Sequence, residues 1–208
     1  MKKSRIILLL LTFLIVVFVA LLVFPFLRQK YADKDLHSAM LIGVTDLKGG
    51  YSLIEARPRT KNDIDDYSRE LGWQGGYHAL YKKTGYILPI QETVFLIQDN
   101  SIYPMENISK TLDYFKERLN YAVTGLSGEI WNFSVIKTPD EIKGIVDDII
   151  VYEGSSSSNG KPLHAFSAYF IKGDVFQAIT LSGDENAVSM NELIDYVKMI
   201  SNLTSQAQ

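Results

Sequence analysis

Three short strings in this chain have the spacing of an acyl-serine enzyme: Ser134-Val135-Ile136-Lys137 fits S-x-x-K, Ser157-Ser158-Asn159 fits S-x-N, and Lys83-Thr84-Gly85 fits K-T-G. That chemistry needs a serine nucleophile opening a helix, with its lysine one turn later on the same face. Here the serine string ends an alternating run, Ile130 to Val135, and the lysine string comes first in the chain instead of last. The strings are therefore read as pieces of strands and turns. Gly125-Leu126-Ser127-Gly128-Glu129 approaches a nucleophile elbow, but Glu129 stands where G-x-S-x-G requires its second glycine, and a loop turn is the better reading.

Metal chemistry finds as little. His37, His78 and His164 are the only histidines, far apart and without an i, i+4 partner, and the chain has no cysteine. Asp63, Asp65 and Asp66 lack the glycine and distal glutamate of a calcium loop and suit a helix N-terminus instead. No catalytic residue, metal or cofactor is expected.

The remaining candidate is aromatic. All 12 tyrosines lie outside the apolar N-terminal stretch, and Trp73, Tyr77, Tyr81 and Tyr86 cluster. Such rings bury much area while keeping a polar tip. Trp73, Tyr77 and Tyr81 are named as candidate binding residues, a shallow platform for a protein or a sugar ring. The competing reading is a sheet filled with aromatics for packing, since strand propensity selects the same residues.

These residues need elements to hold them. Tyr51 to Glu55, Tyr77 to Tyr81 and Thr93 to Ile97 read as strands, with a turn at Lys83-Thr84-Gly85. Thr60-x-x-Asp63 opens a helix over 62–71. Ile108, Leu112, Phe115 and Leu119 form one stripe of an amphipathic helix between Pro104 and Asn120. Ile130 to Val135 alternates as a strand, and Thr138-Pro139-Asp140-Glu141 starts a helical turn. Ile149 to Glu153 is a strand, residues 154–162 a flexible loop, and Leu163 to Ile171 and Val175 to Leu181 a hairpin. Ser189-x-x-Glu192 caps a final helix. Strands in hairpins interrupted by helices predict an α+β fold, an antiparallel sheet covered by helices.

Ahead of this domain, Ile6 through Leu27 carries no charge. As a helix it would run about 33 Å against a hydrocarbon core of about 30 Å. It overruns a signal peptide's apolar core and lacks a small-x-small cleavage site. The expected organisation is a cytoplasmic tail 1–5, a single-pass transmembrane helix 6–27, a juxtamembrane linker 28–47 and an extracytoplasmic domain 48–208. The short basic head with Lys2, Lys3 and Arg5 favours leaving the N-terminus inside. Without those three, 18 of the 21 basic residues face 24 acidic ones, a net charge of −6 from Arg28 onward, which argues against a nucleic-acid partner.

The strings Gly50-Tyr51-Ser52-Leu53-Ile54-Glu55, Glu70-Leu71-Gly72-Trp73-Gln74-Gly75-Gly76-Tyr77 and Ser101-Ile102-Tyr103-Pro104-Met105-Glu106-Asn107-Ile108, with the closing hairpin and helix, resemble a group of archaeal, methanogen-type, membrane-anchored surface proteins and lipoproteins. That resemblance implies a surface location and carries no assigned activity. Many such proteins carry a lipid-anchoring cysteine, where this chain has a helix. In element order the domain also resembles the PsbP-like sandwich of extracytoplasmic accessory subunits. The functional expectation is a membrane-tethered extracytoplasmic binding or accessory domain, non-enzymatic, with a protein or small ligand as partner. The alternatives are a membrane-anchored hydrolase with a site built from scattered residues, or a structural subunit of an envelope complex.

Overall fold

The computed structural model describes residues 38–87 and 90–208. The expected tail, the apolar segment 6–27 and the linker up to residue 37 lie outside the described residues. Among those described, no helix is long and apolar enough to cross a membrane.

Eight strands make one antiparallel sheet: β1 (Tyr51–Pro58), β2 (Gly75–Ile87), β3 (Ile90–Ile102), β4 (Asn120–Thr124), β5 (Ile130–Ile136), β6 (Asp148–Ser158), β7 (Lys161–Lys172) and β8 (Val175–Asp184). Their spatial order is β1-β2-β3-β8-β7-β6-β5-β4, so β8 closes between β3 and β7 at the centre. Among the described residues, the sheet is accompanied by the α-helices α1 (Asp66–Glu70), α2 (Ile108–Lys116) and α3 (Met190–Ala207). The α+β class expected from the sequence is the class observed.

Because side chains alternate across a strand, each central strand feeds two cores. On one face Leu96, Ala168, Phe170, Ile179 and Leu181 pack against Leu193, Val197 and Ile200 of α3. On the other, Tyr152, Ile171 and Phe176 pack against Ile108 and Leu112 of α2. Each such aliphatic side chain taken out of water is worth roughly 1.5–3 kcal/mol.

Several local expectations shift. Lys83-Thr84-Gly85 lies inside β2, opposite Thr93 and its neighbours, and does not turn the chain. The serine-rich segment 154–162 is not a flexible loop: β6 runs to Ser158, β7 starts at Lys161, and Asn159 and Gly160 turn the chain with φ of 50° and 77°. Two successive positive φ values make the tight hairpin turn that matches strand twist. The helix over 62–71 splits, because Ile64 is extended: Thr60 and Asp63 form a capping box on a 3-10 turn, and Asp65 caps α1 separately. Leu119 leaves its expected helical stripe, is 64% exposed, and leads straight into β4, a strand the periodicity missed. Pro139 sits at the N-cap of its 3-10 turn, one place before the first helical position. Ser189 makes no side-chain cap; Glu192 instead accepts hydrogen bonds from the Tyr51 and Tyr196 hydroxyls at 3.2 and 2.6 Å.

Residues 38–47, read from sequence as linker, belong to the core. Met40, Ile42 and Leu47 are buried. The Gln98 side chain acts as a surrogate strand for them, accepting from the Ile42 amide at 3.0 Å and donating to the Met40 carbonyl at 2.8 Å. The described residues form one compact unit.

Candidate functional site

Trp73, Tyr77 and Tyr81 do not come together as a surface. Alternation does put Tyr77, Ala79 and Tyr81 on one face of β2, but that face turns toward α3. Tyr81 is 2% exposed and its hydroxyl donates to the Ile42 carbonyl at 2.7 Å. Trp73 packs with the opposite core, and its indole N–H donates to Ser101 Oγ at 3.1 Å. Tyr77 is half-buried and belongs to neither core. Trp73 precedes β2 and is not part of its alternation, so the sequence carried no signal of which face it would join.

The three acyl-serine strings are also kept apart. Lys83 in β2 and Ser134 in β5 are five strand positions apart in the sheet order, roughly 24 Å at about 4.8 Å per strand.

The concavity lies on the α2 face, where register places small side chains in a row. Phe95 pairs with Ser182, Ser182 with Ala165, Ala165 with Gly154, Gly154 with Phe133, and Phe133 with Tyr121. Across the middle of the sheet the row is therefore Ser, Ala, Gly, with aromatic rings at both ends. The Phe133 ring lies over Gly154, where an added Cβ would come within 2.5 Å of Phe133 Cε1. The helix α2 covers the neighbouring rows only: Phe115 stacks on Tyr169 with centroids 4.2 Å apart and on Phe176 at 5.6 Å. What neither α2 nor large side chains fill is a groove of about 650 Å³ between the β4–β5 hairpin and β3–β8. That volume is within the roughly 300–1,000 Å³ of small-molecule sites.

Its walls are apolar: Phe95 and Ile97 from β3 face Tyr121, Val123 and Leu126 of the hairpin, with Trp131 and Leu163 behind. Its floor carries hydroxyls. Tyr121 Oη and Tyr169 Oη are 3.0 Å apart, and Ser167 Oγ and Thr180 Oγ1 are 2.8 Å apart. Burial pushes the Tyr121 and Tyr169 phenols well up and that of neighbouring Tyr152 up to about 12, so all three stay neutral and can donate.

Charge lies at the periphery. Asp99 is engaged by His78 Nδ1 at 2.8 Å, with Arg59 Nε 3.8 Å away. Asp184 accepts from the Thr93 amide at 2.7 Å, and Lys161 is exposed at the start of β7. Glu129 braces the hairpin loop, accepting from Trp131 Nε1 at 2.9 Å and the Ser127 amide at 3.0 Å. Burial raises its carboxyl, but the hydrogen bonds from Trp131 and the loop amides outweigh this and hold it below the usual range. Gly125 makes the brace possible: a Cβ there would sit 2.2 Å from Glu129 Oε1 and 2.5 Å from Trp131 Nε1. The near-elbow string 125–129 is thus a hairpin loop, and the glutamate that spoiled the motif is the residue that shapes the loop.

Arranged this way, the groove can enclose an apolar ring or chain and hydrogen-bond it from below. No family model matches the chain, and no curated protein matches it either. In fold it is similar to the extracellular domain of PknH from Mycobacterium tuberculosis, with a TM-score of 0.58, 11% sequence identity, and coverage of 83% of this chain and 95% of that one.

Proposed function

We propose that this chain is a non-enzymatic binding module, held outside the cytoplasm by the apolar helix 6–27, that takes a small ligand in the groove under the β4–β5 hairpin. The observation that carries the reading is the groove itself: a preformed concavity with apolar walls and a few polar groups converging on its floor. Apolar side chains and paired hydroxyls make up most of its surface, an arrangement for holding a ligand more than for moving protons. The likeness in fold to a domain described as extracellular, and the resemblance to membrane-anchored surface proteins with a PsbP-like layout, support the location.

Two measurements test it. Protease added to intact cells should cleave the C-terminal domain and spare the N-terminal tail; protection of the domain overturns the location. Native mass spectrometry of the full chain from its own cells should show a small molecule that is retained by the wild type and lost from Ser182→Trp, which fills the trough. Retention of the same molecule by Ser182→Trp places it elsewhere and overturns the groove as the site.

A further inference from the structure

Resting on the reading of the groove as a ligand site, we infer that its ligand is an uncharged carbohydrate, bound with a ring face against the apolar wall and its oxygens over the hydroxyl floor. The inference comes from counting donors. Tyr121, Tyr169, Ser167 and Thr180 bring four O–H groups to the floor. They make contacts between Tyr121 and Tyr169 at 3.0 Å, between Ser167 and Thr180 at 2.8 Å, and between Ser167 and Tyr121. Three contacts use at most three protons, so at least one O–H is left over to donate to whatever occupies the groove, water or ligand.

A ligand oxygen answers it. An alkyl chain or an amine does not, since the first has no acceptor and a protonated amine only donates. The periphery asks the opposite of a ligand, because Glu129 and Asp184 are acceptors, and among the described residues no basic side chain lies within 4.0 Å of either carboxylate. Together they outweigh Lys161, the basic residue among the groove's lining, so they disfavour an anion, and they accept from hydroxyls. A sugar supplies acceptor and donor in each hydroxyl, and its C–H face suits the apolar wall.

The test uses the full chain in phosphatidylcholine nanodiscs, which accommodate the apolar N-terminal stretch. The probes are maltotetraose, cellotetraose, chitotetraose, oleate and spermidine, read by saturation-transfer NMR with titration of any that respond. At least one of the three sugars should bind. Thr180→Val, which keeps the shape and removes one hydroxyl, should weaken that binding about three- to tenfold. Ser182→Trp should abolish it without changing the circular dichroism spectrum; if that variant does not fold, Leu126→Asp at the exposed rim replaces it. Silence of all three sugars overturns the carbohydrate inference. Oleate or spermidine binding that disappears on filling the trough would then leave the groove reading in place. Absence of any binding sensitive to the filling variant removes both.

Discussion

The two faces of this sheet are built from the same strands and end differently. The α3 helix has 18 residues and brings Leu193, Val197 and Ile200 onto one face, which is closed along its length. The α2 helix has nine residues, about 13 Å of cover, and the chain leaves it to form the β4–β5 hairpin, which arches over the remaining half. Where α3 meets large side chains, the hairpin faces Phe95 and Ile97 of β3 and Ser182 of β8 across the groove. One face therefore became a core and the other a core plus a groove. The lesson is that the concavity follows from helix length and from the braced loop of the β4–β5 hairpin, whose Leu126 and Ser127 line it together with Ser182 of β8.

The largest effect that could break this contrast is in stability. Leu193→Ala or Ile200→Ala, each at a fully buried site, should cost about 2–5 kcal/mol in urea unfolding, because a cavity stays behind. Leu126→Ala, on a residue 60% exposed at the groove rim, should stay within about 0.5 kcal/mol. Equal losses at Leu126 and Leu193 would mean the hairpin is core and the groove is not an open site.

Tyr81→Phe sharpens the same comparison on the closed face. It removes the O–H that satisfies the Ile42 carbonyl and should cost about 1–3 kcal/mol. Amide exchange at Ile42, whose N–H is held by Gln98, should speed up with it. A neutral Tyr81→Phe would release residues 38–47 from the core and return them to the linker expected from the sequence.

How much of this was legible depends on the distance between the residues that matter. The strand at Ile130 to Val135 and the stripe through Ile108 and Leu112 came from local periodicity, and both stand. The segment 154–162 misled because serine and glycine are poor strand formers, and tertiary pairing with β7 overrode propensity. Ser38 to Leu47 misled because its partner, Gln98, is more than 50 residues away and looks like any polar strand residue. The groove was illegible for the same reason: Phe95, Leu126 and Ser182 are unremarkable until the sheet brings them to one concavity. Tyr81 had the right chemistry for a binding residue, and nothing in the sequence told which face of the sheet α3 would cover.

On the groove side the next effect is smaller. Gly125→Ala would push its methyl into Glu129 and Trp131. The carboxylate can swing away, but the buried indole cannot, so the cost is at least the lost brace, about 1 kcal/mol, with the close approach to Trp131 Nε1 added to it. Indole N–H chemical shift should report the loss, with Trp131 moving and Trp73 staying put. A shift at both indoles would show that the perturbation spreads through the core that Trp73 and Trp131 share and is not confined to the hairpin.

The smallest effect concerns the charge of that brace. Glu129 has its folded pKa depressed, so by linkage it adds stability above the carboxyl's unfolded value of about 4.3, and that contribution is lost as pH falls through the folded value. The side chain is partly exposed, and solvent screening keeps the gain below about 1 kcal/mol. Glu129→Gln keeps an acceptor for Trp131 and cannot titrate. The difference between wild type and Glu129→Gln should therefore be constant near neutrality, shift against the wild type from about pH 5 downward, and level off in strong acid. Asp63 has a pKa lowered by Arg57 and then by Thr60, so it produces acid sensitivity of the same sign in both proteins, and only the difference curve isolates Glu129. A difference that grew toward acid would mean the carboxyl is raised in the fold, its burial outweighing the hydrogen bonds, and the rim of the groove would then carry a neutral acid where an ionised acceptor has been argued.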